Sequence, residues 1–300
     1  MAELKLGIIG LDTSHVIAFT SVLNDKNNEY HVPGGKVVVA FPGGSPDFEL
    51  SISRVSGYTE ELKNKYDVKI VNSPEEVAKE ADAILLESVD GRVHLEQFKR
   101  IAPFGKPTFI DKPFAVKSSD AREMIQLAKG HNLPLMSSSA LRFSEALTEV
   151  LSDESKGTVI GADFYGPMAI QETQPGFFWY GIHTVDMLFA TLGTGCTKVT
   201  TTTNDDHDLV VGVWSDGRIG TIRGNRAGNS KFGGLVHRTG TTEFVDVYSK
   251  KKPYYASLLE RIMAMFTAKK IALDINESLE VVRFIEAANE SRDTGKTVRL

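Results

Sequence analysis

The strongest constraint on this chain is a repeated alternation in its first 138 residues. Short apolar runs at Lys5–Ile9, Val37–Ala40, Lys69–Val71, Ala83–Leu86, Thr108–Ile110 and Leu135–Ser137 are separated by stretches of helical period. Val16, Phe19, Thr20 and Leu23 share one helical face, as do Ala121, Met124, Ile125 and Ala128; the spacing i, i+3, i+4, i+7 marks a core-facing stripe. Buried strands alternating with amphipathic helices specify βαβ units around a parallel sheet. The expected fold class is therefore α/β, with an N-terminal doubly wound sheet of Rossmann type.

Beyond residue 155 the pattern changes to Thr- and Val-rich strands joined by Gly and Asp turns, at Val159–Tyr165, Lys198–Thr203, Asp208–Trp214, Ile219–Arg223, Gly234–His237 and Glu243–Val247. The segment Ser215-Asp216-Gly217-Arg218 reads as a hairpin, because Asp-Gly tolerates the positive φ of a tight turn. These runs predict an α+β domain with an open, mostly antiparallel sheet, and two helices follow at Tyr254–Thr267 and Glu277–Arg292. The expected division is 1–138 and 139–300, with the last helix, about 277–292, packing back on the first domain. A wide sheet with helices on one face needs a cover for the other, and a second copy of the chain is the common one. A homo-oligomer through the C-terminal sheet is the expectation.

Composition narrows the partners. A net charge of −5 over 300 residues offers no pull toward phosphate backbones or anionic lipid, and the basic residues form no runs. Nucleic acid is not an expected partner. No run approaches the roughly 18 apolar residues of a membrane span, and the N-terminal apolar run is too short for a signal peptide. A single cysteine, Cys196, excludes an internal disulfide and fits a reducing, cytoplasmic setting. Cys/His pairs at metal-ligand spacing are lacking, so no metal is expected.

Four segments carry polar side chains to places where chemistry is plausible. The first strand ends in Gly10-Leu11-Asp12-Thr13-Ser14-His15 and enters a helix, where a Gly-x-Gly-x-x-Gly fingerprint would set a pyrophosphate on the helix N-terminus. Only Gly10 of the three glycines is present, and a carboxylate at Asp12 would repel a phosphate. Asp12, Thr13 and Ser14 are all good N-caps, so the turn either caps the helix or contacts a cofactor. The second strand ends in Phe41-Pro42-Gly43-Gly44, without the acid that would take ribose hydroxyls. The fourth strand leads through Glu87 and Ser88 to His94, and the fifth ends in Asp111-Lys112-Pro113. Both lie at the carboxyl edge of a parallel sheet, where open α/β sheets bind ligands. Finally, Trp179-Tyr180-Gly181-Ile182-His183-Thr184-Val185-Asp186 leads aromatics into a helix. Three residues apart, His183 and Asp186 share a face, and imidazole exchanges protons near neutral pH. Asp186 is read as a structural hydrogen-bonding residue or a substrate contact, Trp179 and Tyr180 as packed core or as flat faces for a sugar ring.

Taken in order, these segments resemble the glucose-fructose oxidoreductase and inositol dehydrogenase (Gfo/Idh/MocA-like) family over nearly the whole chain. The resemblance rests on the Gly10 turn, the strand leading to His94, Gly105-Lys106-Pro107, Asp111-Lys112-Pro113 in place of Glu-Lys-Pro, and Gly181-x-His183-x-x-Asp186 followed by Leu192-Gly193. It implies an NAD(P)-dependent dehydrogenase acting on a sugar or cyclitol-like, polyhydroxylated substrate. Lys112 would hold the reacting oxygen and His183 would exchange its proton. The cofactor, NAD or NADP, would meet Gly10, Asp12, Thr13, Ser14, His15, Glu87, Ser88, His94, Asp111 and Lys112. The substrate would meet Asp186, Trp179, Tyr180 and Glu87. Lys112 and His183 would then face one crevice.

Three positions depart from the family pattern: Trp179 stands where an aspartate usually precedes the histidine, Glu87 where a Thr-Pro pair lines the nicotinamide pocket, and the glycine fingerprint is reduced to Gly10. These departures motivate two alternatives on the same scaffold, a cofactor-independent lyase or isomerase using Glu87, Lys112 and His183, and a non-catalytic sugar-binding sensor.

Overall fold

The computed structural model describes residues 3–300. They form two compact units. The first comprises residues up to Ala115, Ser119–Ser138 and Tyr255–Ile275, and the second Val116–Ser118, Ser139–Tyr254 and Asn276–Leu300.

In the first unit the order is β1 (Leu4–Ile9), α1 (His15–Asn24), β2 (Gly35–Phe41), α2 (Glu49–Tyr66), β3 (Lys69–Ile70), α3 (Pro74–Glu80), β4 (Ala83–Leu86), α4 (His94–Ile101), β5 (Thr108–Asp111), α5 (Ser118–Gly130) and β6 (Leu135–Ser138). The strands make one six-stranded parallel sheet in the order β3-β2-β1-β4-β5-β6. Leu6, Ile8 and Ile9 of β1 and all four residues of β4 are buried, as continuous apolar runs must be when helices cover both faces of a sheet. Local chemistry sets the helix ends: Ser73 accepts the Glu76 N–H and Pro74 opens the first turn of α3, the arrangement of an N-cap followed by a residue that has no N–H to leave unsatisfied.

The second unit begins with a one-turn helix at Ala140–Phe143 and α6 (Glu145–Ser152). It continues through β7 (Val159–Pro167), α7 (Gly181–Leu192), β8 (Cys196–Thr203), β9 (His207–Trp214), β10 (Ile219–Asn225), β11 (Gly233–Arg238) and β12 (Thr242–Asp246). Then come α8 (Tyr254–Ala268), α9 (Ile275–Thr294) and β13 (Val298–Arg299). The seven strands run β12-β11-β7-β10-β9-β8-β13, with β7 and β10 parallel and every other pair antiparallel. The Asp216-Gly217 turn joins β9 to β10, with Gly217 at φ 90°. Alternation separates the two faces of this sheet. Val210, Trp214 and Ile222 are buried beside Phe189 of α7 and Phe284 of α9, whereas Leu209, Leu235 and Phe244 are exposed on the other face, Phe244 by 61%.

The helices after residue 250 divide differently from the sequence expectation. It is α8 that completes the first unit, with Tyr255 4.8 Å from the His15 ring and 5.8 Å from Phe19 and Met263 covering Gly35. The last helix, expected to return to the first domain, belongs to the second unit. There Ala288 and Ser291 bond to Thr201 of β8, and Phe284 stands edge-on to Phe189.

Candidate active site

In the first unit, the reversal of strand order between β1 and β4 opens a crevice at the carboxyl edge of the sheet. Gly10 leaves β1 at φ 89°, and a Cβ there would lie 2.5 Å from the Ser88 nitrogen and 2.6 Å from its Cα. Only glycine allows the turn after β1 to lie this close to the segment after β4. The Asp12 carboxylate does not project from the turn. It is buried, accepting the Ser51 hydroxyl at 2.6 Å and the Val89 N–H at 3.0 Å, and burial raises its pKa against the opposing hydrogen bond from Ser51. The repulsion expected between Asp12 and a phosphate therefore has a structural answer: the charge is turned inward. Ser14, at the N-terminus of α1, is exposed and caps nothing with its side chain, while Thr13 is buried. The turn thus presents backbone and a small hydroxyl residue at a helix N-terminus, where an anion is favoured.

Further along the edge, Ser45 donates to Asp90 at 2.7 Å, and Arg92 spans Asp90 and Asp47. This network ties the loop after β2 to the segment after β4. Ser88 donates to Gln97 at 2.9 Å. His94 is fully buried, its ring between the carbonyls of Ser88 at 2.7 Å and Phe114 at 3.2 Å; it fixes backbone on both sides of the crevice floor.

At the floor itself, His15 Nδ1 lies 2.7 Å from Asp111 Oδ2 and 4.0 Å from Glu87 Oε2. Glu87 is 0% exposed and neither of its oxygens accepts a hydrogen bond, nor does Asp111 Oδ1. Burial, with the Asp111 charge adding and Lys112 opposing, holds the Glu87 carboxyl well above the usual range. Burial also acts to raise Asp111, but the charges of His15 and Lys112 prevail and hold it down at about 2. Lys112 follows β5 and is buried to 7% exposure.

In the second unit the predicted residues gather around His183, in the first turn of α7. Its Nδ1 lies 2.7 Å from the Ser139 hydroxyl, and the rings of Phe232 and Tyr180 stand edge-on at 5.4 and 5.8 Å. Trp179 packs edge-on to Tyr180 at 5.9 Å. Asp186 faces protein: one oxygen accepts the Ser139 N–H at 2.6 Å, the other the Arg142 guanidinium at 2.7 Å, and Arg142 also pairs with Glu277. Burial raises the pKa of Asp186 against the charge of Arg142.

Several participants carry no motif. Ser139, Arg142 and Glu277 support His183 and Asp186 from distant positions, and Ser51 and Tyr255 do the same for Asp12 and His15. The one available signal was Ser137-Ser138-Ser139, a polar run closing a buried strand at the ligand-binding edge of a sheet.

A parallel sheet in this strand order, with a glycine turn feeding a helix N-terminus at its switch point, defines a dinucleotide-type Rossmann domain. Residues 6–139 match the model of the Gfo/Idh/MocA oxidoreductase family, described as an NAD-binding Rossmann fold. An Escherichia coli (strain K12) protein named uncharacterized oxidoreductase YhhX is 31% identical over 147 residues, which is 45% of this chain and 38% of that protein. The match thus spans less than half of the relative's length. Two solved structures share the fold over nearly all of both chains. A scyllo-inositol dehydrogenase from Lactobacillus casei with bound NAD(H) and scyllo-inositol has TM-score 0.81 and 14% identity, covering 99% of each chain. A myo-inositol dehydrogenase from Corynebacterium glutamicum has TM-score 0.78 and 16% identity, covering 100% of this chain and 99% of its own.

Proposed function

We propose that the chain is an NAD(P)-dependent dehydrogenase of a cyclitol or sugar-like polyhydroxylated substrate. The observation that carries this reading is the inward-turned carboxylate of Asp12, which frees the Gly10–Ser14 turn to accept a pyrophosphate despite the missing glycines. The match of residues 6–139 to the oxidoreductase family model supports it, as does the cyclitol chemistry of proteins with the same fold.

The residues fit the cofactor at the phosphate turn. Gly10, Thr13 and Ser14 with the N-terminus of α1 would hold it, and Ser88 and Glu87 line the same edge. Bound nicotinamide supplies hydride exchange with a carbinol or carbonyl carbon. Among the chain's own groups, Lys112 is the buried cation able to hold and polarise an alkoxide or carbonyl oxygen. His183, steadied through Nδ1 by Ser139, is the group able to take or return the hydroxyl proton. The half-buried Trp179 and Tyr180 offer ring faces to a polyol.

The uncovered face of the second sheet, with Leu209, Leu235 and Phe244 lining a groove of about 700 Å³, supports a homo-oligomer through that sheet. Its test is light scattering after size exclusion, where a monomer at micromolar concentration rejects it. A cytoplasmic location accompanies the reading, supported by the lone Cys196.

The deciding experiment is a calorimetric titration with NADH and NADPH. Saturable binding in the micromolar range of at least one supports the proposal, and no binding of either at millimolar concentration defeats it.

A further inference from the structure

We propose that His15, Glu87 and Asp111 form a binding site for a single first-row divalent metal ion. The three side chains come from the first turn of α1 and from the ends of β4 and β5, and the adjacency of β1, β4 and β5 in the sheet brings them together. One ligand atom from each lies within 4.8 Å of the others, and all three residues are buried. An ion held at about 2.1 Å from each donor sets neighbouring donors roughly 3–4 Å apart. The 2.7 Å contact between His15 and Asp111 and the 4.0 Å separation between His15 and Glu87 bracket that range.

The second observation is the state of the carboxylates. Both oxygens of Glu87 and Oδ1 of Asp111 are sealed from solvent without accepting a hydrogen bond. Buried polar atoms are almost always satisfied, so three unpartnered oxygens on the two carboxyl groups beside one imidazole point to a missing electrophile. One imidazole and two carboxylates suit Mn²⁺, Fe²⁺ or Zn²⁺ better than Mg²⁺ or Ca²⁺, which take oxygen alone. Three protein ligands also leave the ion with open positions, as at catalytic rather than structural sites. The site shares Glu87 with the edge assigned to the cofactor, so the ion is titrated without nucleotide, and its failure to bind leaves the dehydrogenase reading standing.

The test uses full-length protein stripped with a chelator and titrated without nucleotide with Zn²⁺, Mn²⁺ and Co²⁺, read by calorimetry, by elemental analysis after desalting and by the visible spectrum of Co²⁺. The expected result is one ion per chain at micromolar affinity or better, with at least a hundredfold loss in both His15→Gln and Glu87→Gln. Melting temperature should rise with metal in the parent protein and not in Glu87→Gln. His237→Ala, which removes a surface imidazole beside Asp163, should bind as the parent does. Failure of all three ions to bind stoichiometrically overturns the proposal, as does full retention of binding by Glu87→Gln, whose near-isosteric side chain keeps the decision independent of whether His15→Gln folds.

Discussion

The hydroxyl of Ser139 sits 2.7 Å from Nδ1 of His183, while the backbone N–H of the same serine is held by Asp186. One residue therefore sets both the orientation of the imidazole and the anchor of the helix that carries it. Ser139→Ala is expected to lower turnover about tenfold or more through loss of ring orientation, the usual scale for a support residue behind a functional imidazole. The companion measurement is the His183 ¹⁵N spectrum, in which the Nδ1 resonance should move. An unchanged spectrum with unchanged turnover removes Ser139 from any positioning role.

Arg142 bridges the buried carboxylate of Asp186 and the half-buried one of Glu277. Arg142→Met strands both in a poorly solvated place and should cost about 3–5 kcal/mol of stability. Adding Asp186→Asn and Glu277→Gln to that background should recover a good part of the loss. Chemical denaturation of the three variants reads both numbers, and a loss below about 1 kcal/mol for Arg142→Met would show that the ion pairs contribute little.

At Gly10 the conformational and steric demands coincide. Gly10→Ala places a methyl against the Ser88 backbone at positive φ, and the expected cost is about 2–4 kcal/mol. Denaturant midpoints provide the check, and a neutral effect would mean that the turn after β1 and the segment after β4 move apart easily.

Removing the Glu87 charge should have the opposite sign. Desolvation dominates its energetics over the attraction of Lys112, so in chelator Glu87→Gln is expected to be more stable than the parent protein by about 1–2 kcal/mol. A lower melting temperature for the variant in chelator would show instead that the field of Lys112 outweighs burial.

Cys196 gives a pH dependence with a defined sign. Burial pushes its thiol up to about 11, above the roughly 8.5 of a free cysteine. The folded state thus prefers the neutral thiol, so its contribution is complete below the unfolded value and is lost as pH climbs from about 8.5 through 11. Relative to the parent, Cys196→Ala should lose less stability across that window. Iodoacetamide should label native Cys196 slowly at pH 8, since the thiolate is the nucleophile; rapid labelling of folded protein would contradict its burial.

How much of this was legible in the sequence depends on what generates each feature. The strands of the parallel sheet announce themselves, because burial on both faces demands runs such as Ala83–Leu86, and the Asp216-Gly217 turn is specified by backbone chemistry alone. The helix Glu49–Tyr66 is quiet, since only Ser51 and Leu62 of its residues are buried and no apolar stripe forms. Periodicity shows that Tyr254–Thr267 is amphipathic but not which unit receives its apolar face. The two-residue strand Val298–Arg299 is too short to leave a pattern. Among the candidate residues, Lys112, His183 and Gly10 stand in recognisable contexts. The direction of the Asp12 carboxylate depends on Ser51, a residue 39 positions away, and the meeting of His15 with Asp111 spans 96 positions; strand order creates such encounters, and no local spacing encodes them.

The placement of α8 in the first unit matters while the chain is being made. Residues 3–138 emerge from a ribosome carrying every strand of the parallel sheet, yet the ring that lies against His15 and Phe19 arrives only with Tyr255. Until then that face of α1 is bare, and the nascent domain waits, unfinished, for most of the polypeptide to be synthesised. A fragment cut after residue 138 would inherit the same exposed apolar surface permanently, and with it a tendency to aggregate.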